Sequence, residues 1–462
     1  MNLKGKLAGL RSAGPGTQPA HATPPVPPAP TDVHPPANDG SPAEGVSSIT
    51  PERAAHIGEL RGRIHAMMAR SSAARAPVVV PPEASLSALP FTITAHEGGS
   101  LYARIRTYPV TQRHGHVPLH AALDVRGDAI ATLALDPKLA SFDPATALYI
   151  DTETTGLSGG TGTLAFLVGL AWFEGRCLHV EQLFLAEPSD EPAMLSHLAR
   201  RIERAGALVS YNGKAFDLPL LRSRFVMARV KAPKEPAHLD LVHASRRIYG
   251  ERLEQCRLTN LERDVLGFVR IDDVPGSEIP ARYATFLRTG DASGLFAVVE
   301  HNLWDVIAMA ALVGELGARI VGGDASGRFE PSDMTGLART AFRAGARTLA
   351  MALAEDAAVL GRKKGEHGVA ARASMLAAKL HRRSGDHLGT HRRLLDALTS
   401  TPDDAGLHLA LAKLYEHGLR DPTRALEHAR RAREEEDPDA HARRLARLLA
   451  RIKRTPIPLP GV

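Results

Sequence analysis

The chain has little cysteine. Only Cys177 and Cys256 occur in 462 residues, and they form no C-x-x-C pair. A disulfide framework and a cysteine-based zinc site are both disfavoured, which points to a reducing compartment and an expected cytoplasmic location. Long apolar runs are also scarce. The longest in the central region, Leu164 to Phe173, has ten residues. That is too short to span a bilayer, so no membrane partner is expected. Met1 to Arg11 carries positive charge without an apolar stretch behind it, so no signal peptide is expected. A nucleotide P-loop is missing too. The Gly/Ser/Thr loop from Ser158 to Thr163 leads into an apolar strand, with no Gly-Lys-Ser/Thr and no helix after it.

What is present suffices for a multi-domain globular protein. The length suggests two to four domains of roughly 100–200 residues each, and the 44% hydrophobic content can fill real cores. A net charge of +6 and a pI near 9.4 are compatible with a polyanionic partner. Residues 1–51 form a Pro/Ala-rich arm; stretches such as Pro24-Pro25-Val26-Pro27-Pro28 cannot bury enough surface to order themselves. Residues 52–140 read as an N-terminal helix and a lead-in of short strands and loops. The helix begins at Thr50-Pro51, a cap followed by Pro at the first helical position. His114 and His116 stand two apart within the lead-in. Such a pair can share a strand face and hold a metal, but no cysteine or acid nearby completes a ligand set. A loop packed on the next domain is the better reading.

From about residue 145 to 315 the pattern alternates strand and helix. Three meandering strands are followed by helix, strand, helix and strand. The first strand, the apolar run Ala147 to Ile150, ends in Asp151-Thr152-Glu153. Residues two apart on a strand share a face, so Asp151 and Glu153 point the same way. Paired carboxylates repel unless a cation lies between them. Asp217 follows the turn Asn212-Gly213 and stands close to a helix start. Asp305 lies on a long helix, Leu295 to Leu316, with His301 four residues earlier on the same helix face. Each acid alone has a plain structural explanation: a solvated strand end, a favourable charge at a helix N-terminus, a surface pair. Together, Asp151, Glu153, Asp217 and Asp305 can converge on a cluster of divalent ions. Oxygen ligands suit Mg²⁺ or Mn²⁺. His301, ordinarily titrating near pH 6.5, suits work on a water molecule.

Residues 333–454 change character: strand patterns vanish and Ala, Leu and Arg dominate. Ala378-Lys379-Leu380 recurs 34 residues later as Ala412-Lys413-Leu414. A helix–turn–helix period of 34 is the tetratricopeptide signature. The Arg-rich end, with Arg443, Arg444, Arg447 and Arg451, suits either phosphate contact or a solvated helix face.

Three motifs in this order resemble the YprB-type ribonuclease H-like domain, within the wider DEDD 3′–5′ exonuclease superfamily. They are Tyr149-Ile150-Asp151-Thr152-Glu153-Thr154-Thr155-Gly156-Leu157, Tyr211-Asn212-Gly213-Lys214-Ala215-Phe216-Asp217-Leu218-Pro219, and His301-Asn302-Leu303-Trp304-Asp305-Val306. The resemblance covers roughly residues 106 to 316. It implies an α/β fold, a ribonuclease H-like mixed sheet flanked by helices, over residues 141–320, followed by the all-α tetratricopeptide-like region 333–454. It implies Asp151, Glu153, Asp217 and Asp305 as ligands of two Mg²⁺ or Mn²⁺ ions, and hydrolysis of a DNA or RNA phosphodiester, most plainly as a 3′–5′ exonuclease. Asn212 and Lys214 are candidate contacts to the substrate backbone. Asp240 is a supporting acid, outside the ligand set. The superfamily carries Tyr four residues, or His five residues, before the last Asp, whereas His301 stands four before Asp305. Its role is open among activating water, orienting it and contacting the scissile phosphate. The competing reading is a nucleic-acid-binding or scaffolding protein with a weak or inactive nuclease fold, whose helical repeat recruits a protein partner.

Overall fold

The strands of the described chain all lie between Thr92 and Asp240, and hydrogen bonding gathers most of them into one mixed sheet. The structure, a computed structural model, describes residues 85–156, 162–322 and 329–454. The arm 1–51, the helix expected from Pro51 and most of the loop from Ser158 to Thr163 lie outside the described residues. The strands are β1 (Thr92–His96), β2 (Gly99–Pro109), the short pair β3 (Arg113–His114) and β4 (Val117–Pro118), β5 (Ala147–Thr154), β6 (Ala165–Glu174), β7 (Cys177–Phe184), β8 (Ala207–Ser210) and β9 (Ala237–Asp240). Seven of them form a sheet in the order β1-β2-β7-β6-β5-β8-β9. β5, β6 and β7 are an antiparallel meander, and β8 and β9 run parallel to β5. Nearly every residue of β6 is buried, as a central strand covered on both faces requires.

The lead-in strand β2 is part of the sheet. β2 pairs with β7 continuously, from Tyr102 opposite Phe184 to Pro109 opposite Cys177. Without β2, the backbone of the buried strand β7 would be an open edge. The lead-in also holds a helix, α1 (Gly127–Ala134), that the sequence pattern did not suggest.

The sheet is flanked by α2 (Glu191–Glu203), α3 (Asp217–Met227), α4 (Leu241–Tyr249), α5 (Ile279–Thr289) and α6 (Leu295–Gly322). β5 divides its side chains between two cores. Leu148 and Ile150 share one with Leu195, Leu198 and Leu221; Ala147 and Tyr149 share the other with Leu303 and Ile307 of α6. Among the described residues, Leu295–Val321 is the single helix long and apolar enough, by length and composition, to cross a membrane, and its apolar window is 67% buried inside the fold. Core packing accounts for that apolarity.

Beyond residue 329 the described chain is helical: α7 (Pro331–Arg343), α8 (Arg347–Lys363), α9 (His367–Arg383), α10 (His387–Ser400), α11 (Ala405–Lys413), α12 (Pro422–Arg431) and α13 (Pro438–Arg454). The related triplets fall differently: 378–380 lies inside α9, and 412–414 runs across the end of α11. The turns after α7, α8 and α9 recur at a shorter interval, through Gly345, Gly365 and Gly385. The Arg-rich end turns partly inward. Arg444 and Arg447 pair with Glu416, a fully buried carboxylate that Arg451 also approaches at 3.7 Å. Despite its burial, these guanidinium groups hold Glu416 below its ordinary value.

Candidate metal centre

The site forms where β5 leaves the core. The two-residue period that turns Ala147 and Tyr149 toward α6 turns Asp151 and Glu153 the same way. Thr152 faces the opposite side, and its hydroxyl donates to Oδ1 of Asp217, the first residue of α3. α6 supplies His301, Asn302 and Asp305 within little more than one turn.

Asn302 fixes the spacing between helix and sheet. It is fully buried. Its Nδ2 donates to Asp151 Oδ2 at 2.9 Å, and its Oδ1 accepts from Gln182 Nε2 at 3.0 Å. Gly169 lies opposite Asp151 in the β5–β6 register. A Cβ at Gly169 would come within 2.4 Å of Asn302 Oδ1. The missing side chain is what admits the amide.

His301 is held from behind. Its Nδ1–H donates to Asp273 Oδ1 at 2.7 Å, which leaves Nε2 facing Asp305 Oδ2 at 3.5 Å and Glu153 Oε1 at 3.8 Å. Glu153, His301 and Asp305 each offer a ligand atom within 4.8 Å of the others, the one such group among the described residues. Asp305 has a second cationic neighbour. Its Oδ1 accepts from Arg270 Nη2, and the same guanidinium binds Glu262 Oε2. Glu262 in turn pairs with His114 Nε2 at 2.8 Å, and the His114 ring stacks on Phe268. His114 thus ends a buried chain that runs through Glu262 and Arg270 to Asp305. His116 approaches Glu315 at 3.7 Å. The His-Gly-His stretch packs a loop on the domain.

Electrostatics separate these groups. Burial, then the nearby Asp305 and Asp217, push Asp151 well above the usual carboxylate range. Burial, then Asp151, Asp305 and Asp217, do the same to Glu153. Burial raises Asp217 to about 6, against the opposing bond from Thr152. On the other side, Asp273 stays below its ordinary value despite burial, because His301 donates to it. His301 is raised: burial opposes its charge, and Asp273 and Asp305 outweigh burial. Despite its own burial, Arg270 is held more firmly charged by Asp305 and Glu262.

The remaining sequence candidates fall beside this cluster. Asn212 adopts a left-handed backbone, φ 70°. The backbone N–H groups of Asn212 and Lys214 donate to Asp240 at 2.8 and 3.0 Å. The Lys214 side chain is exposed. Asp240 also caps α4, so it holds the turn that leads to Asp217. No motif or spacing in the sequence assigns a role at the site to Arg270, Glu262, Gln182 or Asp273. Asn302 was inside a quoted motif, with no role. Arg270 lies 35 residues from Asp305, and no local pattern signals that contact.

The donor set fits hard divalent cations. Three crowded carboxylates with raised proton affinity are groups that a cation would stabilise in their charged form. Oxygen donors and one imidazole favour Mg²⁺ or Mn²⁺ over soft metals.

Residues 148–317 match the RNase_H superfamily. With the mixed seven-stranded sheet and its flanking helices, this makes the fold ribonuclease H-like. The chain is 31% identical over 219 residues to the uncharacterized protein YprB of Bacillus subtilis (strain 168), covering 46% of this chain and 52% of that protein. It thus spans about half the length of this curated relative. Among solved structures, the family B DNA polymerase from the hyperthermophilic archaeon Pyrobaculum calidifontis aligns with a TM-score of 0.31 and 16% identity, over 44% of this chain and 30% of that chain. At that level the likeness says nothing about function here.

Proposed function

We propose that this protein is a metal-dependent nuclease that hydrolyses nucleic-acid phosphodiester bonds, acting as a 3′–5′ exonuclease. The observation that carries the reading is the meeting of Glu153, His301 and Asp305 around one point, where burial, and then the nearby Asp151, Asp305 and Asp217, push the Glu153 carboxyl up. Asp151, Glu153, Asp217 and Asp305 are the proposed ligands of two Mg²⁺ or Mn²⁺ ions. When bound, divalent ions supply Lewis-acid polarisation of the phosphodiester and a water activated at neutral pH. The chain's own groups do the rest. Asn302 fixes the direction of Asp151. Asp273 fixes the His301 tautomer, so that Nε2 faces the site. From there His301 can take or give a proton. The turn at Asn212 and Lys214 lies beside the acids and is the proposed contact to the substrate backbone.

The helices α9 to α12 are read as tetratricopeptide-like units that recruit a protein partner, a reading supported by the 34-residue recurrence and the change of composition.

End-labelled single- and double-stranded DNA and RNA, incubated with the full chain in Mg²⁺ or Mn²⁺, test the main reading. Cleavage that shortens the labelled strand stepwise from its 3′ end, and that stops on chelation and in Asp151→Ala, is the expected result. Cleavage that persists under both conditions sinks the metal mechanism. A folded, metal-loaded protein that cuts none of the four substrates leaves a binding protein.

A further inference from the structure

Arg270 donates to an oxygen of Asp305, one of the proposed metal ligands. Its side chain is 5% exposed, and it sits against Glu262, 1% exposed, and Asp305, 14% exposed. The fourth proposed ligand is therefore satisfied in a way the other three are not. One oxygen of Asp305 accepts from the guanidinium, and the other faces the imidazole of His301 at 3.5 Å. Asp151 and Asp217 accept from neutral groups, Asn302 and Thr152. Glu153 has no guanidinium at ion-pair distance among the described residues; His301 stands 3.8 Å away.

We propose that Arg270 is a resident counter-cation that competes with the divalent ion for Asp305. The proposal rests on the metal-centre reading above. A carboxylate oxygen engaged by a buried guanidinium cannot be given to a metal ion at no cost, and a second positive charge nearby repels the ion. The buried ion chain keeps Arg270 in place. Glu262 holds the guanidinium through Nε and through Nη2, the nitrogen that also donates to Asp305, and His114 pairs with Glu262. Arg270 is a positioning residue: without metal it holds Asp305 in place, and this pairing weakens binding on the α6 side of the centre. The Asp151 side, where no guanidinium intervenes, takes its ion first.

The test is calorimetric titration of the metal-stripped full chain with MnCl₂, without nucleic acid. The proteins are the unsubstituted chain, Asp151→Asn, Arg270→Gln, Arg270→Lys and the pair Arg270→Gln with Glu262→Gln. The pair is included because Arg270→Gln alone leaves Glu262 buried with a single partner and can impair folding; thermal melting identifies which variant is folded. The expected result is loss of Mn²⁺ binding in Asp151→Asn. Removing the guanidinium should tighten binding at least tenfold, a gain of about 1.4 kcal/mol. Arg270→Lys, which keeps the charge, should stay within a few-fold of the unsubstituted chain. If Asp151→Asn abolishes binding while the charge-removing variants bind equally or more weakly, Arg270 does not compete and the proposal is overturned. If the unsubstituted chain binds no Mn²⁺, or Asp151→Asn binds as it does, the metal-centre reading fails first.

Discussion

The sheet side and the helix side of this acidic cluster are balanced by different means. On the sheet side, Asp151 and Asp217 have no cationic partner within ion-pair distance among the described residues, and both are pushed toward the protonated form. On the helix side, Asp273 and Asp305 face Arg270 and His301. Like carboxylates in one site thus fall into two states. One group lacks a compensating positive charge and is drawn to an added cation. The other carries its compensation in the fold and keeps its geometry without one. The difference separates acids that await a cation from acids that the fold already pairs with one.

The sharpest way to break the comparison is to neutralise one acid on each side. Asp217→Asn should cut metal-dependent cleavage by at least ~10²-fold, since a charged group aimed at the reacting centre is gone. The same change should raise the melting temperature of the metal-free protein near pH 7.5, because it relieves a carboxylate that folding makes harder to ionise. A shift of one pKa unit corresponds to about 1.4 kcal/mol, so a gain on the order of 1–2 kcal/mol is expected. Asp305→Asn should also remove cleavage but should lower the melting temperature, because it takes a charged partner from the buried Arg270; about 1–3 kcal/mol is lost. Parallel thermal melts decide it. If both variants shift in the same direction, the two sides are not electrostatically distinct.

A smaller effect is expected behind His301. Asp273→Asn keeps the side-chain shape but removes the charge that fixes the Nδ1–H tautomer. Groups that orient a reacting or ligating histidine are worth roughly 10–100-fold. The loss should appear in kcat, with substrate binding close to unchanged. Single-turnover cleavage beside a binding measurement on the same oligonucleotide separates the two. A loss confined to binding would place Asp273 on the substrate surface.

The sheet side was the legible one. Asp151 and Glu153 share a strand face by local geometry, and Asp217 begins a helix that a turn signal announces, so a few residues of context suffice. The α6 pair His301 and Asp305 was legible for the same reason, as an i, i+4 relation. The compensation around them was not. Arg270 lies in a loop without periodicity; its partners Glu262 and Asp305, and His114 behind Glu262, come from three other stretches of chain. Ion pairs closed over 35 to 148 residues leave no spacing to read. The same limit hid the place of β2. Its residues alternate only weakly in burial, because the strand lies near the sheet edge and its register is set by β7. Gly169 reads in the sequence as one small residue in an apolar strand. Its purpose appears only when α6 places Asn302 against it.

The mildest test uses pH alone and needs no substitution. Asp217 binds its proton with a folded-state pKa of about 6, above the roughly 3.9 of an unfolded aspartate. Between those values the folded chain holds more protons than the unfolded chain, so stability falls as pH rises through that window. Asp151 and Glu153 are raised in the same direction and deepen the fall. His301 adds to it: its raised pKa gives stability that is present while the imidazole is charged and is lost as pH climbs through the folded value. Asp273 opposes the trend only at lower pH, where its depressed pKa makes stability fall as the carboxylate protonates. The metal-free protein should therefore melt higher near pH 5 than near pH 7.5. Millimolar Mg²⁺ should narrow that gap by stabilising the charged carboxylates at the higher pH and little at the lower, where protons already fill the role of the cation. A melting temperature that rises from pH 5 to pH 7.5 without metal would mean that the sheet-side acids are compensated by some other charge, and the contrast between the two sides would disappear.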